Sequence, residues 1–314
     1  MGTLFQCSLY ATEESVAEDA WRAALDRIKA LEDVASDYDE ESELRRLCAR
    51  PVGEWTLLSR DLERLLFRSR ELFELTGGAF DPTVGPYVRL WRRARRSGEL
   101  PTQARMDAAS ASVGMGLIEL DDGRARTLAG GMRIDLGAIA KGDALDQAMQ
   151  VLHERGIESA LLDGGGDLLI GAAPPGAAAW KVALRPLGEG GPVWALELSE
   201  VALATSGDVS SFVLEGVSRS HIIDPRTGWA LTSSAAAAVI AADGATADAL
   251  ASALCVMGDE GIELIRELPY TEGSLWSEGN KALEACATRG LRQMMAASPK
   301  DSFSDKLRSP LEQR

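Results

Sequence analysis

The feature that most constrains this 314-residue chain is a series of short turns that bracket an aspartate with glycines. They read Thr76-Gly-Gly-Ala-Phe-Asp81-Pro-Thr83, Ile134-Asp135-Leu-Gly-Ala-Ile-Ala-Lys141-Gly142, Asp163-Gly-Gly-Gly-Asp167 and Thr205-Ser-Gly-Asp208. Glycine admits backbone conformations and close approaches closed to other residues, and aspartate caps helix mouths, so such turns punctuate many short elements. Heptads and internal repeats are absent, and no Pro/Gly/Ser-rich linker divides the sequence. The pattern predicts an α/β (α+β) domain over residues 1–297, with a mainly antiparallel sheet flanked by helices. Residues 298–314 are polar, carry Pro299 and Pro310, and read as a disordered tail.

Thr12 is expected to cap a first helix in which Val16, Trp21, Leu25, Ile28 and Leu31 recur at helical spacing. A second helix follows Ser59 as N-cap and stops at Gly77-Gly78. A third spans residues 139–155 and ends at Gly156. Strands are expected at Ile157–Leu162, Trp180–Leu184, Trp194–Leu198 and Ala235–Ala241, and a last clear helix at Thr246–Met257, with Thr246 as N-cap. Residues 89–96 hold five arginines, either a solvated helical face or an anion contact.

With Lys+Arg 33 against Asp+Glu 48, the net charge of −15 disfavours nucleic acid and anionic membrane surfaces. The four cysteines, Cys7, Cys48, Cys255 and Cys286, lack C-x-x-C spacing and read as small core hydrophobes. No basic leader with an apolar core opens the chain, and no apolar run reaches the roughly 20 residues that cross a bilayer. The chain as given is therefore expected in the cytoplasm, the alternative being an exported protein whose leader is missing.

Several turns carry chemistry. Asp81-Pro82 opens a helix mouth, a natural anion site. The Asp135 segment is expected to run from a short strand into a helix, with Lys141 placed to meet negative charge; it reads equally as a phosphate-proximal turn or as punctuation, and it is no Walker A. The triplet at 164–166 fails the dinucleotide pattern at Leu169. His221, one of two histidines, is either a general base or structural. Asp248 and Ser252, at i and i+4, put a carboxylate and a hydroxyl on one helix face. They suit Mg²⁺, or else merely complement the helix dipole and meet solvent.

Taken in order, Met1-Gly-Thr3, Tyr38 with Glu41-Ser-Glu-Leu44, Gly78-Ala-Phe-Asp81-Pro-Thr83, Asp135-Leu-Gly-Ala-Ile-Ala-Lys-Gly142, Asp163-Gly-Gly-Gly-Asp167, Thr205-Ser-Gly-Asp208, His221-Ile-Ile-Asp-Pro-Arg-Thr-Gly228 and Ala247-Asp-Ala-Leu-Ala-Ser252 resemble the ApbE family of FAD:protein FMN transferases. The resemblance covers residues 1 to about 268. It implies a T-fold-like architecture, FAD as substrate with Mg²⁺ as cofactor, and transfer of FMN to a Thr or Ser hydroxyl of an acceptor protein with release of AMP. It also implies FAD contacts at Met1, Tyr38, Ala79, Phe80, Asp81, Asp135, Lys141 and Ile223. Metal ligation falls on the Ala138 carbonyl, Asp248 and Ser252, and His221 becomes the base that activates the acceptor hydroxyl. Ser252 stands where the family usually has threonine, and Ala251 where some members carry a further carboxylate. An FAD pyrophosphatase and a non-catalytic flavin carrier are the competing functions.

Overall fold

The computed structural model describes residues 2–186, 192–207, 211–232, 235–277 and 286–297. The polar segment 298–314, read above as a disordered tail, lies outside them. A six-stranded sheet organises the chain, built from β1 (Phe5–Leu9), β5 (Ala160–Gly164), β6 (Leu168–Ile170), β9 (Val201–Gly207), β12 (Ala235–Ala241) and β13 (Glu272–Ser277), in the order β1-β5-β6-β9-β12-β13. Every neighbouring pair is antiparallel. Smaller units are the sheet of β2 (Thr56–Leu57), β3 (Ile118–Asp121) and β4 (Arg124–Thr127), and the hairpins β7–β8 (Trp180–Leu184, Trp194–Leu198) and β10–β11 (Phe212–Leu214, Val217–Arg219).

β12 shows why the sheet lies inside the molecule. All seven residues are buried; Ala235, Ala237, Val239 and Ala241 join the main core, whereas Ala236, Ala238 and Ile240 join a second core with Val182, Leu196, Trp276 and Leu291. Period-2 alternation thus divides one strand between two cores. The main core is covered by helices α1 (Glu14–Ala35), α3 (Arg60–Leu75), α6 (Ala140–Glu154) and α7 (Gly244–Met257), with α2 (Glu43–Ala49) and α8 (Asp259–Glu267) at its edges. β7–β8 and α9 (Arg289–Ala297) cover the second core. The helices α4 (Gly85–Ser97) and α5 (Gln103–Ser110) form a third, smaller cluster around Tyr87, Trp91 and Met106. No helix among the described residues is long and apolar enough to cross a membrane.

Local chemistry corrects several sequence expectations. α1 starts at Glu14 with Glu13 at the N-cap and no side-chain cap, so Thr12 does not cap it. Its buried stripe is Ala20, Ala24, Ile28, Leu31 and Ala35, while Val16 and Leu25 are exposed; the alanines let α1 lie close against α6. Ser59 does cap α3, accepting from Leu62 N. Helix α6 is one residue shorter than expected at each end, and the strand after it begins at Ala160 because Ile157 completes the helix cap, its N–H donating to Leu152 O. α7 begins two residues early: Asp243, not Thr246, is the N-cap and accepts from Thr246 N and Oγ1. The glycine triplet makes the β5–β6 hairpin turn, closed by Gly166 N donating to Asp163 Oδ1. All four cysteines are free, and Cys255 and Cys286 are buried.

Two contacts hold the helical layer. Where α6 crosses α7, Gly142 and Gly244 touch backbone to backbone, and a Cβ at Gly142 would lie 2.0 Å from Gly244 O. On the outer side, Arg27 of α1 makes a two-pronged contact with Asp61 of α3 at 2.5 and 2.6 Å, and Arg64 bridges Asp61 to Asp143 of α6.

Gly142→Ala is expected to cost at least about 3 kcal/mol, since backbone must move to admit the methyl; a urea midpoint matching that of the native chain would overturn the crossing. The Arg27 and Arg64 hydrogen bonds outweigh burial and lower the Asp61 carboxyl from 3.8 to about 2. A depressed carboxylate stabilises the fold above its unfolded-state pKa, and that stability is lost as pH falls through about 2. The melting-temperature gap between native chain and Asp61→Asn should therefore shrink from pH 5 to pH 2, and a constant gap would refute the ion-pair account.

Candidate active site

The floor of the site forms where α6 and α7 cross. Close packing at Gly142 and Gly244 sets the first turn of α6 beside the second turn of α7, so Lys141 Nζ lies 2.8 Å from Asp248 Oδ1 and Gly142 N donates to Asp248 Oδ2 at 3.3 Å. Lys141 Nζ also lies 2.6 Å from Asp167 Oδ2, at the start of β6, and Asp167 Oδ1 accepts from Thr205 N of β9. Asp167 and Asp248 are 3% and 4% exposed. Burial disfavours the Lys141 charge, but Asp248 and Asp167 outweigh it and raise the pKa. Burial likewise raises the Asp248 carboxyl, against the pull of Lys141. Two buried carboxylates thus share one ammonium. One turn along α7, Ser252 Oγ lies 3.4 Å from Ser206 Oγ of β9.

The opposite wall comes from the turn after α3. Thr76 Oγ1 accepts from Phe80 N and donates to Leu72 O, fixing Ala79 and Phe80 where the helix ends. Asp81 caps the single turn Pro82–Val84, its Oδ1 accepting from Thr83 N and Oγ1, while burial raises its pKa. The Ile134–Asp135 stretch is extended but is not the strand expected: Asp135 N donates to Pro82 O across the turn instead of to a sheet neighbour. Asp135 Oδ1 accepts from Gly137 N, and burial with repulsion from Asp37 raises this carboxyl.

His221 sits on an irregular hairpin held by Ser220 N to Leu231 O, Leu231 N to Ile222 O and an Ile223–Ala230 bridge. The hairpin docks on α4 through Gly228, whose O accepts from Trp91 Nε1 at 2.8 Å. Gly228 has φ 75°, and a Cβ there would lie 2.5 Å from the Tyr87 ring, so this position requires glycine. The His221 side chain is exposed at the site's edge.

These walls enclose a cavity of about 570 Å³ lined by Ala79, Phe80, Asp81, Asp135, Ala138, Lys141, His221, Ile223, Asp248 and Ser252. Ten residues singled out from widely separated segments thus share one space. Tyr38 does not line it: the ring is 74% exposed and reaches the cavity only through Arg92, whose Nη2 donates to Tyr38 Oη at 2.7 Å. Met1 and Asp208 lie outside the described residues. The sequence reading missed Asp167 as a site residue, although its motif was singled out, because only the folded chain brings it to Lys141. It also missed Trp91 and Phe212, which line the cavity from α4 and β10. The arginine run is divided: Arg92 and Arg95 line the cavity, whereas Arg89, Arg93 and Arg96 are exposed outside it.

Among the described residues, no group of three or more His, Cys, Asp or Glu is gathered to hold a metal. Asp248 and Ser252, one turn apart on α7, line the cavity together with Ala138, so a carboxylate and a hydroxyl are the oxygen-bearing side chains of this set. Oxygen donors beside an excess of buried negative charge fit a hard divalent cation that completes its shell with water and ligand oxygens.

Comparison with known proteins identifies the family. The ApbE family model matches residues 1–274. A protein from Rhodobacter capsulatus named FAD:protein FMN transferase is 33% identical over 82% of this chain and 50% of its own length. A protein of the same name from Vibrio cholerae is 30% identical over 83% of this chain and 80% of its own length. This chain thus spans half of the first relative and most of the second. Among solved structures, the ApbE protein from Thermotoga maritima superposes with a TM-score of 0.79 at 30% identity, covering 94% of this chain and 96% of that one. A histidine-to-glycine variant of the Vibrio cholerae flavin transferase ApbE gives the same TM-score at 25% identity, over 94% and 96% of the two chains. With the family model covering residues 1–274 of its 314, this chain belongs to the ApbE family.

Proposed function

We propose that this chain is an FAD:protein FMN transferase, which moves FMN from FAD to a Thr or Ser hydroxyl of an acceptor protein and releases AMP. The observation that carries the reading is the meeting of Lys141, Asp248, Ser252, Ala138 and His221 in one cavity of about 570 Å³. The relatives that bear this activity in their names support it.

Such a transfer needs an activated hydroxyl, in-line positioning and neutralised phosphate charge. The acceptor hydroxyl oxygen attacks the FMN phosphorus of the FAD pyrophosphate, a phosphoester bond forms, the pyrophosphate P–O bond breaks, and its electrons leave with AMP. His221, exposed at the cavity edge, takes the hydroxyl proton as general base. Asp248, Ser252 and the Ala138 carbonyl would hold Mg²⁺, which when bound supplies charge neutralisation for the pyrophosphate. Lys141 holds Asp248 in place through its ammonium and adds positive charge at the floor. Asp167 holds Lys141 from the other side. Phe80, Ile223 and the Ala79 segment supply apolar wall for a flat ring system.

The test incubates the protein with FAD, Mg²⁺ and a candidate acceptor domain, following AMP by chromatography and the acceptor by intact mass. AMP release with an acceptor heavier by one FMN is expected, and chelation with EDTA should stop both. Asp248→Ala should fold normally yet lose Mg²⁺-dependent turnover; retained turnover would remove Asp248 from the metal site. His221→Ala should bind FAD with native affinity while transfer falls by about 10²–10⁴-fold, and native transfer would remove its role as base. AMP with every acceptor unmodified would instead mark an FAD pyrophosphatase.

A further inference from the structure

The arginines of α4 have no part in the chemistry just described, and their placement is uneven. At 100° per residue, Arg95, Arg92, Arg96, Arg89 and Arg93 follow one another around a single continuous arc of the helix, opposite the buried Tyr87, Trp91 and Ala94. The arc begins at the cavity, where Arg92 and Arg95 line the wall, and runs outward onto the surface. Among the described residues, Arg89, Arg93, Arg95 and Arg96 form no ion pair, and only Asp37 and Asp135 lie near Arg92. Further cations crowd the same side: burial with the Arg45, Arg89 and Arg92 guanidiniums lowers the Arg133 pKa, and Asp37 opposes this.

Phe212 and Arg219 of the β10–β11 hairpin, with Tyr38 and Trp229 from neighbouring segments, complete the rim. Arg92 stacks over Tyr38 at 4.9 Å, Arg95 over Phe212 at 5.7 Å, and Arg219 over Trp91 and Trp229 at 5.6 and 5.8 Å. Tyr38, Val213 and Trp229 are exposed beside them. Stacking uses the flat face of a guanidinium and leaves N–H groups at its edge to grip a carboxylate, although in Arg92 one of them already donates to Tyr38 Oη. Arginine with exposed tryptophan and tyrosine is the composition of protein interfaces rather than of a merely solvated helix.

We infer that this rim docks an acidic segment of the acceptor protein, delivering the nearby hydroxyl to His221. The inference rests on the transferase reading for the identity of its partner. The occupant is acidic because the patch gathers cations on a chain whose net charge is −15, so an acidic partner meets attraction at this rim against an unfavourable long-range background. It is a polypeptide rather than the FAD pyrophosphate because Arg89, Arg93 and Arg96 stand outside the cavity.

The experiment measures fluorescence anisotropy of short labelled peptides that hold one threonine among glutamates, among serines and glycines, or among lysines. The glutamate peptide should bind the native chain at least about tenfold more tightly than the serine–glycine peptide, from a few exposed charge pairs acting together. R89E/R93E/R96E should abolish that preference while FAD affinity stays native. Equal binding of the two peptides, an undiminished preference in the variant, or displacement of the glutamate peptide by FAD would each overturn the docking surface. Should the variant fail to fold, the native chain decides: the preference must fade with rising salt, and a salt-independent preference overturns it. Peptide binding is read without turnover, so failure of the rim is distinct from failure of the transferase, which would appear as no AMP and no flavinylated acceptor.

Discussion

The backbone contact between Gly142 and Gly244 is the constraint on which the site depends. Helices that meet through ordinary side chains keep their axes 8–10 Å apart, and a lysine on one then meets an aspartate on the other only by reaching outward. Here neither residue carries a Cβ, and the helices close until Gly142 N itself donates to Asp248. That approach places Lys141 against the second turn of α7 and buries Asp248 completely among alanines that suit the same close packing. One pair of glycines thus sets both the helical layer and the floor of the cavity.

Burying charge in this way carries an electrostatic demand. Asp167 and Asp248 together hold more negative charge than Lys141 neutralises, and burial raises the pKa of Asp248 accordingly. Stability alone does not call for such a cluster, since well-packed apolar residues would serve the core as well. The surplus negative charge has a use where a divalent cation and a pyrophosphate arrive together, because the cation satisfies the carboxylates and the phosphates at once.

Legibility in the sequence followed the range of the responsible interactions. The strands Trp180–Leu184, Trp194–Leu198 and Ala235–Ala241 match the structure to the residue, because each is a short stretch of mostly apolar residues, interrupted only by Lys181 and Glu197. Caps were less legible: Asp243 and Thr246 are both good N-caps, and Asp146, which accepts from Gly244 N and Ala245 N, fixes where α7 begins. Most of the candidate cavity lining was visible in its motifs, since Asp81, Asp135, Lys141 and His221 each stand in a glycine-punctuated string and Asp248 pairs with Ser252 at i and i+4. Asp167 as a partner of Lys141, and Arg92, Arg95 and Phe212 as cavity wall, depend on which surfaces the sheet and α4 bring together. No local pattern encodes that.

The cavity is therefore polar in a directed sense. Its floor is anionic and buried, built from α6, α7 and the start of β6, whereas its rim is cationic, aromatic and exposed, built from α4 and the β10–β11 hairpin. Low dielectric at the floor strengthens each charge there, while solvent at the rim screens the arginines and keeps their contacts reversible. His221 lies at the boundary, on a hairpin that Gly228 fastens to the same α4 that presents the arginines. A partner held by the rim is thereby referred to the histidine through one rigid helix, and a ligand held at the floor through the glycine crossing. The two anchors converge on the cavity, where the proposed transfer would need a hydroxyl and a phosphorus to meet in line.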